Sequence, residues 1–197
     1  MAKIIVFGAG GRAGRAIAAE AARRGHEVTS VVRDPRRIEG AVEGSVTDVK
    51  VVAELTAGQD VVVNAAADMS VPAGEFFPAA ARALLGGLGG ARLVGVGLAS
   101  VLATADGTLL MDTPGYPNEY RAFYLGHAAG MEVLKESDAN WVVISPAGDF
   151  DHTGESAGRY ERTDADAGAR ITYADFALAV LDEIEKPSVQ RTHFGVS

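Results

Sequence analysis

The 197-residue sequence predicts an α/β fold, in which a doubly wound parallel sheet lies at the centre of three α/β/α layers. Short runs rich in valine and isoleucine alternate with helical segments of about 10–15 residues, which is typical of βαβ units. The runs are apolar throughout, as strands buried on both faces of a sheet usually are. A glycine-rich turn joins the first run to the first helix. Because βαβ crossovers are right-handed, these units place helices on both faces of one sheet.

The first half of the chain has clear boundaries between strands and helices. Gly25 ends an Ala-rich first helix, Asp34-Pro35 follows the second strand, and Asp48 caps a short helix. The predicted strands are Lys3–Phe7, Glu27–Val32, Val42–Val46 and Asp60–Val63, and the predicted helices are Arg12–Arg24, Asp48–Leu55 and Ala73–Leu88.

The second half contains two long connections, 97–118 and 148–171. Both follow strands, so they leave the carboxyl edge of the sheet, where α/β folds bind ligands. Connections of this length are usually functional, and we expect them to lie over the ligand edge of a single domain, 1–197. The predicted strands are Arg92–Val96, Trp141–Ser145 and Thr192–Val196, and the predicted helices are Glu119–Ser137 and Tyr173–Lys186.

The composition excludes several functional classes. The formal net charge of −8 argues against a nucleic-acid backbone as the partner. The chain has no cysteine, which rules out disulfides, zinc thiolate sites, Fe–S clusters and a cysteine nucleophile. A strand is expected to begin at Lys3, which argues against a signal peptide at the start of the sequence. No apolar run approaches the roughly 20 residues that a membrane-spanning helix needs. We therefore expect a cytoplasmic monomer or homodimer that binds a small molecule and no membrane.

The turn after the first strand matches a dinucleotide-binding fingerprint in two registers. Gly8, Gly10 and Ala13 fit G-x-G-x-x-A, whereas Gly8, Gly11 and Gly14 fit G-x-x-G-x-x-G. In both registers glycine lets backbone N–H groups approach a pyrophosphate, and the helix N-terminus adds positive potential. The turn therefore predicts a dinucleotide cofactor.

The end of the second strand favours NADP(H) over NAD(H). Arg33 stands where NAD sites usually carry an acidic residue and NADP sites an arginine. Arg33 and Arg12 could together clamp a 2′-phosphate. Asp34 keeps NAD(H) possible, and a plain surface pair between Arg33 and Asp34 is the alternative. The predicted cofactor-binding residues, which include later strand ends, are Gly8, Gly10, Gly11, Arg12, Ala13, Gly14, Arg33, Asp48 (at the adenine edge), Asn64, Ala65 and Ala66.

Six segments together resemble a known protein group: 3–14, 31–35, 93–97, 112–114, 141–147 and 171–175. The chain is similar over nearly its whole length to atypical short-chain dehydrogenases/reductases. Within them it resembles the NADH-flavin reductase group, which is related to NmrA-like proteins and to biliverdin/flavin reductases. The resemblance implies a Rossmann fold with a small C-terminal substrate region, a nicotinamide cofactor, and reduction of a flavin that is a substrate rather than a tightly bound group.

The usual Tyr-x-x-x-Lys catalytic pair of short-chain dehydrogenases is missing, since none of the five tyrosines has a lysine four residues later. A flavin acceptor removes the need for that pair, because solvent can supply the proton and the protein need only align two rings. Ser100 and His127 are the candidate catalytic residues, as hydrogen-bond donor and general acid. The alternatives are that Ser100 only caps a loop and that His127 is an exposed histidine on a helix. Gly148 stands where related reductases carry a histidine.

Other motifs are weaker. Residues 154–158 match G-x-S-x-G and are followed by Asp175 and His193, but a nucleophile elbow needs a strand before it and a helix after it. Asp149, Asp151 and His152 are more typical of a solvated loop than of a metal site, so no metal is predicted. Two further hypotheses stay open. One is a non-catalytic NAD(P)H-binding redox sensor of the NmrA-like type, and the other is an enzyme acting on a sugar or small carbonyl through Tyr124.

Overall fold

The structure is a computed structural model that describes residues 1–197 apart from the side chain of residue 37. Its strands are β1 (Lys3–Phe7), β2 (Glu27–Val32), β3 (Val42–Glu43), β4 (Val61–Asn64), β5 (Arg92–Val96), β6 (Trp141–Pro146), β7 (Asp149–Asp151), β8 (Arg162–Thr163), β9 (Arg170–Thr172) and β10 (Thr192–Val196). Its α-helices are α1 (Arg12–Arg23), α2 (Val49–Thr56), α3 (Ala73–Gly87), α4 (Arg121–Lys135) and α5 (Tyr173–Glu185).

The main sheet has the order β3-β2-β1-β4-β5-β6-β10-β8. The first seven strands in this order are parallel, and β8 runs antiparallel to β10 at the edge. The chain winds outward in one direction from β1 to β3 and then restarts at β4 on the other side of β1. This reversal between β1 and β4 confirms the predicted doubly wound sheet, and it creates the crevice in which such folds bind ligands.

Helices cover both faces of the sheet, which confirms the three predicted layers. Successive side chains of a strand point to opposite faces, so β1 contributes to two apolar cores. Ile4 and Val6 lie in the core with α1 and α5, whereas Ile5 and Phe7 lie in the core with α2, α3 and α4. None of the described helices is long and apolar enough to cross a membrane.

All predicted strands and helices are present, with differences at their ends and in one connection. The third strand stops at Glu43 rather than Val46. A Cβ on Gly44 would lie 2.8 Å from side-chain atoms of Val31 and Leu55, so the backbone passes close to both side chains as it leaves the strand. The predicted loop 148–171 contains three short strands. Of these, β7 and β9 form a separate two-stranded parallel ribbon, and β8 extends the main sheet.

The two long connections contact each other beyond the carboxyl ends of β5 and β6. The backbone N–H of Ala165 donates to the carbonyl of Ala103 at 2.9 Å. Ala99, Leu102, Leu110 and Ala165 form a small apolar cluster between them. The connections therefore support each other at the edge of the sheet on which ligand binding is expected.

Candidate functional site

A groove of about 890 Å³ lies at the point where the strand order reverses. Its walls come from the turn after β1, the ends of β2 and β4, the segment before α2, and α3. Six of the predicted cofactor-binding residues line this groove: Gly8, Gly10, Gly11, Arg33, Ala65 and Ala66.

The glycines of the turn after β1 serve two different purposes. Gly8 has φ +80°, and a Cβ on it would lie 2.5 Å from the backbone of Ala65. A Cβ on Gly14 would lie 2.2 Å from the carbonyl oxygen of Gly8. These two positions need glycine for the protein's own packing. Gly10 and Gly11 are not needed for packing. The atoms nearest to a Cβ on these residues would lie 3.5 and 3.4 Å from it, which are ordinary or slightly tight contact distances. Glycine there leaves room for a ligand to approach the backbone.

The start of α1 is suited to an anion. Its N-cap residue, Gly11, has no side chain to cap the helix, and the first turn contains no acidic residue. The first N–H groups of a helix have no partner within the helix, and its dipole places positive potential there. The uncapped helix end beside the open backbone of Gly10 therefore fits the phosphates of a dinucleotide.

Arg33 and Asp34 do not pair with each other, so the predicted surface pair is wrong. Arg33 forms an ion pair with Asp68, which follows β4. Asp34 is held by Arg36, whose Nε and Nη2 donate to its two carboxylate oxygens at 2.8 and 3.0 Å. The carboxylate next to Arg33 is thus engaged, whereas the Arg33 side chain is 63% exposed in the groove.

Arg12 does not line the groove beside Arg33, so the predicted clamp would need Arg12 to move. Arg12 Nη1 donates to His152 Nδ1 at 2.8 Å, which directs the side chain toward the 148–171 connection. Arg15 lines the groove instead and makes no ion pair among the described residues. Arg15 follows Gly11 by four residues, so both lie on the same side of α1. This spacing was the signal in the sequence that could have identified Arg15.

Three other predicted cofactor contacts lie outside the groove. Asp48 caps α2, accepting from the N–H groups of Lys50 at 2.9 Å and Val51 at 3.3 Å. Its carboxylate is therefore committed to the helix, and the preceding residues 45–47 line the groove in its place. Ala13 and Gly14 lie within α1, where Gly14 packs against the turn.

A smaller cavity of about 60 Å³ adjoins the groove between the sheet and α3 and α4. Ala66 lines both spaces, so they meet at the end of β4. Asn64 faces the smaller cavity, and its Oδ1 accepts from the N–H of Ala66 at 3.2 Å. The rest of the wall is mostly apolar, apart from the imidazole of His127.

His127 is packed between aromatic rings, so the alternative of an exposed helix histidine is wrong. Its ring centroid lies 3.7 Å from that of Phe77 and 4.9 Å from that of Phe123. Burial lowers the pKa of His127 to about 3, and nearby His193 adds to this effect. The imidazole is therefore neutral at physiological pH. It can donate a hydrogen bond, but it is not the imidazolium ion that a general acid would need to be.

A serine–histidine pair lies beneath the smaller cavity. Ser145 Oγ and His193 Nε2 are 2.7 Å apart, and a Cβ on Gly97 would lie 2.3 Å from that hydroxyl. Burial lowers the pKa of His193 to about 4.

The G-x-S-x-G segment does not form a hydrolase site with His193. His193 is hydrogen-bonded to Ser145, whereas Ser156 of that segment donates to Asp175 at 2.6 Å. The strand β7 ends three residues before Gly154, and the next helix, α5, begins only at Tyr173, so the hydrolase motif forms no strand-turn-helix nucleophile elbow.

The remaining catalytic candidates, Ser100 and Tyr124, line neither the groove nor the smaller cavity. Ser100 is fully buried, and its hydroxyl has no hydrogen-bond partner among the described residues. The geometry therefore does not support its predicted contact with a ligand. Burial raises the pKa of Tyr124, which is the opposite of what Tyr-x-x-x-Lys sites achieve. The described residues contain no cluster of acids and histidines able to hold a metal ion.

A family model described as NAD(P)H-binding matches residues 8–187. The chain belongs to this NAD(P)H-binding family. The uncharacterized protein YwnB of Bacillus subtilis is 38% identical over an alignment of 212 positions, which covers 98% of this chain and 97% of that protein. The crystal structure of a "putative exported protein" from Burkholderia pseudomallei has a TM-score of 0.87 and 36% identity, covering 100% of both chains.

A "putative NADH-flavin reductase" from Streptococcus pneumoniae has a similar structure, with a TM-score of 0.85, 28% identity, and coverage of 100% of this chain and 99% of that one. Membership of the NAD(P)H-binding family confirms the predicted resemblance and the Rossmann-like fold. The matched residues include the whole turn after β1 and every residue that lines the groove except Phe7. The chain is thus a binding protein for a nicotinamide dinucleotide.

Proposed function

We propose that this protein is an NADPH-dependent reductase that transfers a hydride to a flavin or a similar flat conjugated ring. The observation that carries the proposal is the pair of guanidinium groups, of Arg33 and Arg15, among the residues that line the groove. The carboxylate of Asp34, by contrast, is bound by Arg36. A guanidinium matches phosphate oxygens in charge and geometry, so these two arginines favour a cofactor with a 2′-phosphate.

The smaller cavity supports the choice of acceptor. When bound, NADPH supplies the hydride. The chain's own residues offer apolar and aromatic surface, including Phe77, and the neutral ring of His127. At about 60 Å³ the cavity is too small to enclose a flavin, but its wall can exclude water and contact one edge of a flat ring. It does not store a proton at neutral pH. It suits an acceptor that takes its proton from solvent, as a flavin can.

Cofactor binding and turnover test the proposal together. We expect the protein to oxidise NADPH in the presence of FMN or riboflavin faster than the protein-free mixture does, as followed by nicotinamide absorbance. Arg33→Gln should weaken NADPH binding about tenfold or more and change NADH binding little. Arg23→Gln is the matched control, because Arg23 is an exposed arginine at the far end of α1, paired with Glu20.

A non-catalytic NADP(H) sensor is the second candidate. It is favoured by the lack of a proton donor that is charged at neutral pH among the described residues around the smaller cavity. A sensor must bind the oxidised and reduced cofactors with different affinities, because otherwise neither can shift its state. Tight, redox-selective binding without turnover on flavins or quinones would favour the sensor. Binding of neither cofactor would overturn both proposals.

A further inference from the structure

An ion pair crosses the mouth of the larger groove. Arg33 follows β2 and Asp68 follows β4, and these two strands lie on either side of β1 in the sheet. Arg33 Nη1 contacts Asp68 Oδ2, and both residues line the groove. The pair therefore joins the two walls of the groove at the carboxyl end of β1.

The two partners are held to different degrees. Asp68 Oδ1 accepts from the N–H of Ser70 at 2.9 Å and from its hydroxyl at 2.6 Å. The Asp68 side chain is 13% exposed, whereas that of Arg33 is 63% exposed. The carboxylate is thus fixed in place, and the guanidinium is the partner that can move to another anion.

We propose that Asp68 is a specificity-determining residue, whose carboxylate competes with the ribose 2′-phosphate of the cofactor for the guanidinium of Arg33. This inference rests on the NADPH preference proposed above. A phosphate and a carboxylate make the same charge-assisted hydrogen bonds to arginine. A ligand with a 2′-phosphate must take Arg33 from Asp68, whereas a ligand without one leaves the pair intact. Asp68 therefore weakens NADPH binding selectively and narrows the preference over NADH.

Exposure limits the size of the effect. Ion pairs with an exposed partner contribute little, because solvent and salt screen them. We therefore expect removal of the Asp68 charge to tighten binding of a 2′-phosphate ligand by about threefold to tenfold. The change should shrink as the salt concentration rises.

Two adenosine fragments test the competition without any need for turnover. The fragments 2′,5′-ADP and 5′-AMP differ only in the 2′-phosphate, and calorimetry on the full chain gives both affinities. Asp68→Asn should tighten 2′,5′-ADP by about threefold to tenfold and change 5′-AMP by less than about twofold. In the Arg33→Gln background the same substitution should have no selective effect. Retained 5′-AMP binding shows that each variant is folded.

Glu75→Gln is the matched control, because Glu75 also lines the groove but pairs with no arginine among the described residues. Selective tightening by Glu75→Gln would mean that any lost negative charge suffices, and would overturn the inference. Equal tightening of both fragments by Asp68→Asn, weaker binding of 2′,5′-ADP, or a selective effect that survives Arg33→Gln would overturn it too.

The test separates this inference from the proposed function. Selective tightening by Asp68→Asn without flavin-dependent NADPH oxidation would support the competition and overturn the reductase. If the wild type oxidised NADPH but Asp68→Asn changed the affinities for 2′,5′-ADP and 5′-AMP equally, the reductase would be supported and the competition overturned. If the wild type bound neither fragment, both would be overturned.

Discussion

At the scale of single residues, the turn after β1 divides into a part that packs and a part that faces the groove. Gly8 and Gly14 sit against backbone atoms of the protein itself, whereas Gly10 and Gly11 have room above them. Each register of the sequence motif therefore contains at least one glycine needed for packing and one that faces the groove. A substitution in each group should separate folding from cofactor binding.

Gly14→Ala should lower the stability of the protein, whereas Gly10→Ala should weaken its binding of NADPH. The new methyl of Gly14→Ala would lie 2.2 Å from a backbone oxygen, so α1 or the turn must shift. We expect a loss of about 1–3 kcal/mol in the free energy of unfolding, measured by urea denaturation. Gly10→Ala makes its nearest contact at 3.5 Å, so its stability should stay within about 0.5 kcal/mol. Its methyl enters the groove and should weaken NADPH binding about tenfold.

Either variant can contradict this division of the turn. Normal NADPH affinity in Gly10→Ala would mean that no ligand approaches the backbone there. Normal stability in Gly14→Ala would mean that the close approach of α1 to Gly8 is not needed.

At the scale of elements, the smaller cavity depends on how closely α4 approaches α3. A Cβ on Gly126 would lie 2.5 Å from the carbonyl carbon of Ala73, and one on Gly130 would lie 3.0 Å from Phe77 Cβ. These two glycines, one helical turn apart, let the backbones approach and bring the rings of Phe77 and His127 together. The wall of the cavity is thus set by helix packing.

Gly126→Ala should destabilise the protein by about 1–3 kcal/mol, because the added methyl pushes α4 away from α3. Gly74→Ala is the control on α3, since a Cβ there meets nothing within 4 Å. Alanine favours the helix by up to about 1 kcal/mol over glycine, so the control should be neutral or stabilising. Urea denaturation measures both, and equal effects of the two substitutions would contradict the packing role of Gly126.

The same scale explains what the sequence could predict. Six of the parallel strands, which have four to six residues each, and the five α-helices follow from apolar runs bounded by glycine and proline, which act locally. The strands β7, β8 and β9 have only two or three residues each, so their pairing depends on distant parts of the chain. The partners of Arg33 and Arg12 lie 35 and 140 residues away, and no local pattern predicts such contacts.

At the scale of the whole molecule, the groove lies at the carboxyl ends of the strands, and a buried ion pair lies at their amino ends. Arg92 begins β5 at the amino edge, and its Nη2 donates to Glu183 Oε1 of α5 at 2.7 Å. The two side chains are 7% and 5% exposed. His127 and His193 are held neutral near the smaller cavity, because burial lowers the pKa of both rings. Acid should therefore act on stability first through these histidines.

The free energy of unfolding should fall as the pH decreases from about 6.5 to about 4. Burial lowers the pKa of His127 to about 3 and of His193 to about 4, from 6.5 when exposed. In this window the unfolded chain binds protons that the folded chain does not, so stability is lost on acidification and is unaffected above it. Each histidine contributes at most about 1.4 kcal/mol per pH unit.

Urea denaturation at several pH values between about 7.5 and 4.5 measures this slope. His193→Gln removes one titrating ring but keeps an amide that can hydrogen-bond Ser145, so we expect about half the wild-type slope. Stopping near pH 4.5 limits the contribution of carboxylates, which lose their charge mainly below that value. A flat wild-type profile over this range, or an unchanged slope in His193→Gln, would show that these rings are not kept neutral by burial.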